Sequence, residues 1–385
     1  MIIIILIVFL VLLIILPIIL NSLGVPIFSG SSRGGSAITS DLRDAMLAFS
    51  SDGGGKWQAP EFKREKKEAI PSGILDIAFD PRDANMIFMG TRGAGLWKSV
   101  DGGAHWSRAR DRDGVIAERS DVYKVAISRM RPEVIYLAVF QNSRGRVLKS
   151  DDGGTVFHEI YAVTQDRYGV FDVHVSPFSP EEAMIATGEG RLLETLNGGA
   201  TWRIVRTFPK AIVKLVVNPI FPNERYAITS AGTISHTFDA GHTWTTIGNV
   251  SESGSALSQG EIHNPYENWG FGFSSPSSSF DFVIDPKNPA ALYLVRGDLL
   301  FTSSNGGFTW KKVTTLIAGK GVALGGVAVH PNDSRTLFVN AGSDFYRSTD
   351  SGATWSVVSL GTRIPLKKIF VHPQRADSLF VTVGR

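Results

Sequence analysis

The sequence predicts an all-β fold: a seven-bladed β-propeller with its last blade closed by strands from the two chain ends, preceded by one transmembrane helix. Three observations predict it. A short turn motif recurs seven times, an apolar strand ending in a proline turn keeps step with it, and the two ends of the chain hold complementary halves of one repeat. With 385 residues, 43% of them hydrophobic and 19% charged, the chain has apolar material for one or two folded domains.

Composition excludes several function classes. The chain has no cysteine, so it has no disulfide framework, thiolate metal site, thiol nucleophile or cysteine-linked lipid. A net charge of +3 is too small to imply nucleic acid. Eight histidines fall into no metal-ligand spacing, and the Gly-Gly pairs belong to hairpins and not to a phosphate loop. No cofactor, metal or nucleic acid is therefore expected.

The first element is residues 1–20, read as a membrane anchor or signal segment. Ile2 to Leu20 carry no charged or hydrogen-bonding side chain. As a helix of that length they reach about 28 Å, close to the hydrocarbon core of a bilayer. A cleavable signal would have basic residues before a shorter apolar stretch and a small-x-small site after it, so an uncleaved anchor is the expectation. The first basic residue after it is Arg33, and Lys63, Arg64, Lys66 and Lys67 come later. Charges that far into a folded domain weigh little in orientation, and the propeller is expected on the extracytoplasmic side. Residues 21–43 are rich in Ser and Gly and read as a flexible tether spanning roughly 25 Å.

Residues 44–385 are the repeat region. The motif is Ser/Thr-x-Asp/Asn-x-Gly-x-x-aromatic. Its acidic or amide positions are Asp52, Asp101, Asp152, Asn197, Asp239, Asn305 and Asp350, and the copies start 49, 51, 45, 42, 66 and 45 residues apart. Spacing of this kind marks a repeat architecture. Six of the eight tryptophans close a copy. The apolar strand before each copy ends at Pro81, Pro177, Pro219, Pro286, Pro331 and Pro373, while one repeat departs, with Arg129 in place of the proline.

Each unit reads as four short strands. In the first whole unit these are Ile74–Phe79, Met86–Gly90, Gly95–Ser99 and a strand beginning at Trp106, joined by an Asp-Pro turn and an Asp-Gly-Gly hairpin. Four-stranded units at this spacing are propeller blades. The motif copy at Ser50 has no first and second strands before it. The final residues supply those two strands, Lys368–Val371 and Ser378–Val383, and stop before a hairpin. Joining the halves completes a seventh blade and removes a free sheet edge.

The motif residues have structural work. The Asp or Asn accepts backbone N–H groups within the turn, the second Gly takes a positive φ, and the aromatic covers the hairpin. Because they recur in every unit, they are scaffold. A binding site should break the repeat. These repeats resemble the Asp-box, or bacterial neuraminidase, repeats. Over residues 44–385 they look like the seven-bladed propellers of photosystem II stability/assembly factors, and like those of sortilins and xyloglucanases. The turn and hairpin ending in "GLWKSVDGGAHW" are especially like the last two. The resemblance implies the fold, but the families that share it include glycosidases, receptors and assembly factors.

Two features break the repeat. The loops between second and third strands hold Arg92, Arg144, Arg146, Arg191 and Arg296, against Glu189, Asp298 and Asp344. Arginine forks suit carboxylates of a partner chain, as the assembly-factor resemblance also implies. Alternatively these are solvated loops with internal ion pairs. The loop Ser107–Val122 adds arginines that its own carboxylates nearly cancel. The 66-residue spacing comes from a long loop, Val250–Ser279, in which His263, Tyr266 and Trp269 form a candidate platform for a sugar or a protein. Asp76, Asp121, Asp172 and Asp281 lie at or just before first strands, which line a propeller's channel, where they serve structure or hold a cation. A sialidase would need an arginine triad with a tyrosine nucleophile, and no such set is recognisable. A glycosidase would need two carboxylates about 5–9.5 Å apart. The expectation is a membrane-tethered, non-enzymatic propeller that binds a protein partner, with a carbohydrate-binding or glycoside-hydrolase-like propeller as the alternative.

Overall fold

The computed structural model describes residues 42–63, 71–247, 280–316 and 322–384. Two short strands come first, β1 (Leu47–Ser50) and β2 (Glu61–Lys63). Six four-stranded units follow. Blade one is β3 (Gly73–Phe79), β4 (Ile87–Arg92), β5 (Leu96–Ser99) and β6 (His105–Arg108). Blade two is β7 (Asp121–Ile127), β8 (Ile135–Gln141), β9 (Arg144–Ser150) and β10 (His158–Ala162). Blade three is β11 (Val170–Val175), β12 (Ala183–Thr187), β13 (Arg191–Thr195) and β14 (Arg203–Thr207). Blade four is β15 (Ile212–Val217), β16 (Arg225–Thr229), β17 (Ile234–Thr237) and β18 (Thr245–Ile247). Blade five is β19 (Phe280–Ile284), β20 (Leu292–Arg296), β21 (Leu299–Ser303) and β22 (Lys311–Lys312). Blade six is β23 (Leu324–His330), β24 (Asp333–Ala341), β25 (Asp344–Ser348) and β26 (Ser356–Ser359). The chain closes with β27 (Leu366–Val371) and β28 (Leu379–Val383).

The ends meet as the sequence predicts. β1 runs antiparallel to β28, pairing Leu47 with Thr382 and Ser50 with Leu379, so blade seven is β27, β28 and β1. Its fourth strand differs from the expectation. Only a single bridge, Phe49 to Gln58, continues the sheet. Pro60 has no N–H to donate to a ladder, and pairing with β1 stops before it. The chain instead crosses to blade one, where β2 pairs in parallel with β6, Glu61 facing His105. Phe62 lies edge-on to Trp97 at 5.6 Å. The N-terminal segment thus clasps two blades.

Alternation along the strands places apolar side chains between blades. Among the described residues seven buried clusters result, one at each blade junction. The closing junction joins Leu47, Phe49 and Phe380 to Ile74, Ile87 and Trp97.

The hairpin motif repeats atom for atom. In all seven copies the Ser or Thr hydroxyl accepts the N–H of the second Gly at 2.8–3.0 Å. The Asp or Asn oxygen accepts the N–H before the aromatic at 2.8–3.0 Å. The second Gly has φ between +85° and +100° in each. At Gly103 a side chain would also collide, because an added Cβ lies 2.4 Å from the Phe380 ring of the preceding blade. The residue before each proline caps the other turn: Asp80, Asn218 and Asp285 accept N–H groups there, and His330 and His372 do so through Nδ1. In blade two Ser128 performs the same task, accepting Arg131 N–H at 3.2 Å, so the missing proline leaves the turn intact.

Among the described residues no helix is long and apolar enough to cross a membrane. Residues 2–20, assigned from sequence to a transmembrane helix, and His263, Tyr266 and Trp269 lie outside the described residues.

Candidate functional site

The first strands surround a central cavity of about 430 Å³ lined by residues from β3, β7, β11, β15, β19, β23 and β27. Its charged side chains alternate around the ring: Asp76, Lys124, Asp172, Lys214 and Asp281 in blades one to five, and Lys368 in blade seven. Blade six has Gly326 in this row, paired with Asn340 as Asp76 is paired with Gly90. Each Asp reaches into the next blade. Asp76 accepts Val125 N–H at 3.0 Å and Lys124 Nζ at 3.1 Å. Asp172 accepts Leu215 N–H at 2.8 Å. Asp281 accepts Val327 N–H at 3.2 Å and Lys214 Nζ at 2.5 Å. Lys368 donates to the Leu75 carbonyl of blade one at 2.6 Å. The channel carboxylates are therefore inter-blade ties, as expected for a structural ring. Asp121 is not among the cavity-lining residues. Its carboxylate accepts Gly93 N–H at 2.6 Å.

Enclosure and neighbouring charges compete over ionisation here. Burial pushes the Asp172 carboxyl up, against Lys124, the Leu215 N–H and Lys214. Enclosure also lowers Lys368, aided by Lys214 and Lys124 and opposed by Asp76 and Asp281. For Lys124 enclosure acts the same way, but Asp76 and Asp172 outweigh it and raise the ammonium. The three lysines were not singled out from the sequence, since a lysine in a strand ordinarily faces water. Their shared signal is position: Lys124, Lys214 and Lys368 each fall at a register shift of a first strand.

The five arginines occupy the ends of second strands or the third strands that follow. Arg144 pairs with Asp166 at 2.6 Å, Arg146 with Glu159, and Arg191 with Glu189 at 3.2 Å. These three lie in adjacent blades two and three. Arg92 ends β4 and stands against the Asp121 carboxyl; Arg296 ends β20, two blades beyond β13. Arg108, at the end of β6, bonds the Glu118 carbonyl at 2.8 Å, and in the loop that follows Arg112 pairs with Asp113.

The opposite face carries the proline turns and the hairpin motifs. Between blades three and four it has a small cavity of about 60 Å³, lined in part by His174, Met184, Glu194, Leu196, Pro222 and Arg225. The His174 Nε2 is buried and has no hydrogen-bond partner among the described residues. Burial, then Arg225 and Lys124, hold its imidazole down at about 4. Large apolar side chains stand exposed on this face at Phe178, Phe221 and Phe238.

No family model matches the sequence, and no curated protein matches it. Solved structures do. The chain is similar to a GH74 xyloglucanase from Xanthomonas campestris at 16% identity, covering 82% of this chain and 52% of that one, with a TM-score of 0.61. It is similar to YCF48 from Cyanidioschyzon merolae at 19% identity, covering 81% and 96%, with a TM-score of 0.58. It is also similar to YCF48 bound to a D1 peptide at 17% identity, covering 85% and 99%, with a TM-score of 0.58. This chain spans about half the length of the xyloglucanase. Likeness at such low identity establishes the fold alone: the chain is a seven-bladed β-propeller.

Proposed function

We propose that this chain is a membrane-tethered propeller that binds a protein partner without catalysing a reaction on it, as an assembly or quality-control factor for a membrane or envelope complex. Residues 2–20 would anchor it, with the propeller on the extracytoplasmic side. The observation that carries the reading is the contrast between the two sets of charges. The channel carboxylates are committed to neighbouring blades. Arg144, by contrast, is held by Asp166, whose side chain is 66% exposed. Such a surface pair is worth little, roughly 0–1 kcal/mol, so a partner carboxylate can replace Asp166 at small cost. The likeness to YCF48, one structure of which holds a D1 peptide, supports the same reading. Affinity capture from solubilised membranes tests it. A reproducible partner should be recovered, and Arg144→Ala with Arg146→Ala should reduce it. Finding no reproducible partner would overturn the reading.

The second reading, a carbohydrate-binding or glycoside-hydrolase-like propeller, draws on the aromatics of the long loop and on the likeness to a xyloglucanase. It predicts a glycan-array or hydrolysis signal that Trp269→Ala abolishes.

A further inference from the structure

The charges that face the channel differ from the charges held in its wall. The side chains of Asp76 and Asp281 are 6% and 17% exposed and Asp172 is buried, whereas those of Lys124 and Lys214 are 38% and 34% exposed. Lys368 stands in the same ring and is exposed as well. All three lysines line the central cavity, so the charge presented to its interior is positive although the ring holds three of each sign. Hydrogen bonds divide the same way. Asp76 and Asp281 each accept a backbone N–H of the next blade and an ammonium. Asp172 accepts one backbone N–H, and burial biases it toward the neutral acid. An ammonium has three N–H groups. Among the described residues Lys124 gives one to Asp76, Lys214 one to Asp281 and Lys368 one to the Leu75 carbonyl, which leaves donors to spare on each.

Tying blades together does not require these charges. In blade six the neutral Asn340 does the same work, its Nδ2 donating to the Lys367 carbonyl of blade seven at 3.0 Å. Enclosure disfavours the Lys368 ammonium; Asp76 supports it, but Lys214 and Lys124 repel it. An oxyanion among three ammoniums would offset that repulsion. The rest of the lining is largely apolar, with Phe171, Phe280 and Phe370 half-buried there. A cavity of about 430 Å³ with an apolar wall and a few converging polar groups has the size and make-up of a small-molecule site. A second cavity of about 250 Å³ shares Lys124 and adds a cation, Arg129, the residue that replaces the turn proline in blade two; among the described residues its lining contains no carboxylate. We infer that the channel binds a small organic oxyanion, a carboxylate or phosphate ester on an apolar body, with the anionic group among Lys124, Lys214 and Lys368. This goes beyond the protein-binding reading above, which rests on arginines outside the channel.

Isothermal titration calorimetry tests this on the full chain in nanodiscs of neutral lipid, with empty discs as reference. The probes are naphthoate, naphthyl phosphate, the neutral naphthamide and inorganic phosphate. At least one naphthyl anion should bind about tenfold more tightly than the amide or inorganic phosphate, and the tighter of the two identifies the head group. Lys368→Met keeps the length of the side chain and removes its charge, and should weaken that binding by about tenfold. Arg144→Ala with Arg146→Ala should leave it unchanged. The unmutated chain supplies a second readout if Lys368→Met fails to fold. The bound anion should slow reductive methylation of Lys124, Lys214 and Lys368, mapped by mass spectrometry, and not that of Lys311 and Lys312 on the exposed outer strand of blade five. The inference is overturned by no binding of either naphthyl anion, by equal binding of the amide or to empty discs, by a folded Lys368→Met variant of unchanged affinity, or by methylation of the channel lysines that the anion does not slow.

Discussion

Ser99 carries much of one hairpin with a single oxygen. Its hydroxyl donates to Asp101 at 2.8 Å and accepts the Gly103 N–H at 2.8 Å, and it is nearly wholly buried. Ser99→Ala strands a buried N–H and should cost about 1–2 kcal/mol in urea unfolding, whereas Ser99→Thr should be tolerated, as Thr195 and Thr237 do the same work. Equal loss in both variants would refute this. His174 makes a pH prediction. Its folded-state pKa lies at about 4, below the ordinary 6.5, so the unfolded chain binds the extra proton between those values. Stability should be flat above pH 6.5 and fall as the pH drops toward 4, by on the order of 2 kcal/mol from this group. His174→Phe should make that slope shallower in melts across the range; an unchanged slope would assign it elsewhere. The hairpin residues were legible because each copy repeats one hydrogen-bond pattern. His174 was not, because nothing in a strand's alternation says which histidine lacks a partner.

Among the elements, β1 and β28 hold the ring shut. Phe380 is fully buried in the closing junction, stacked on Phe49 at 6.0 Å. Phe380→Ala should cost about 3–5 kcal/mol. By contrast Val357, 56% exposed on the outer strand β26, should cost under about 0.5 kcal/mol as Val357→Ala. Chemical denaturation of both decides it, and comparable losses would mean that closure is not the weak point. Blade strands were readable to within a residue or two, since proline turns and hairpins bracket them. The clasp by β2 was not. Glu61-Phe62-Lys63 has no counterpart in other repeats, and its parallel pairing depends on where Pro60 releases the chain.

On the scale of the whole molecule, the ring of alternating Asp and Lys ties blades together around the channel, and Gly326 interrupts it. An added Cβ there would lie 2.9 Å from the Lys367 carbonyl and 3.2 Å from the Asp281 carboxylate. Gly326→Ala therefore tests crowding alone. Gly326→Asp adds a charge beside Asp281 and should lose about 1–3 kcal/mol beyond the alanine variant in equilibrium unfolding. Equal losses would show that crowding is the whole effect. The deeper reason is arithmetic. Seven is odd, and two signs cannot take turns around an odd circle without like meeting like somewhere. One uncharged member resolves the conflict, and glycine is that member. A sibling ring with an even number of blades would face no such parity problem, so blade count and the residue at this place are two expressions of a single constraint.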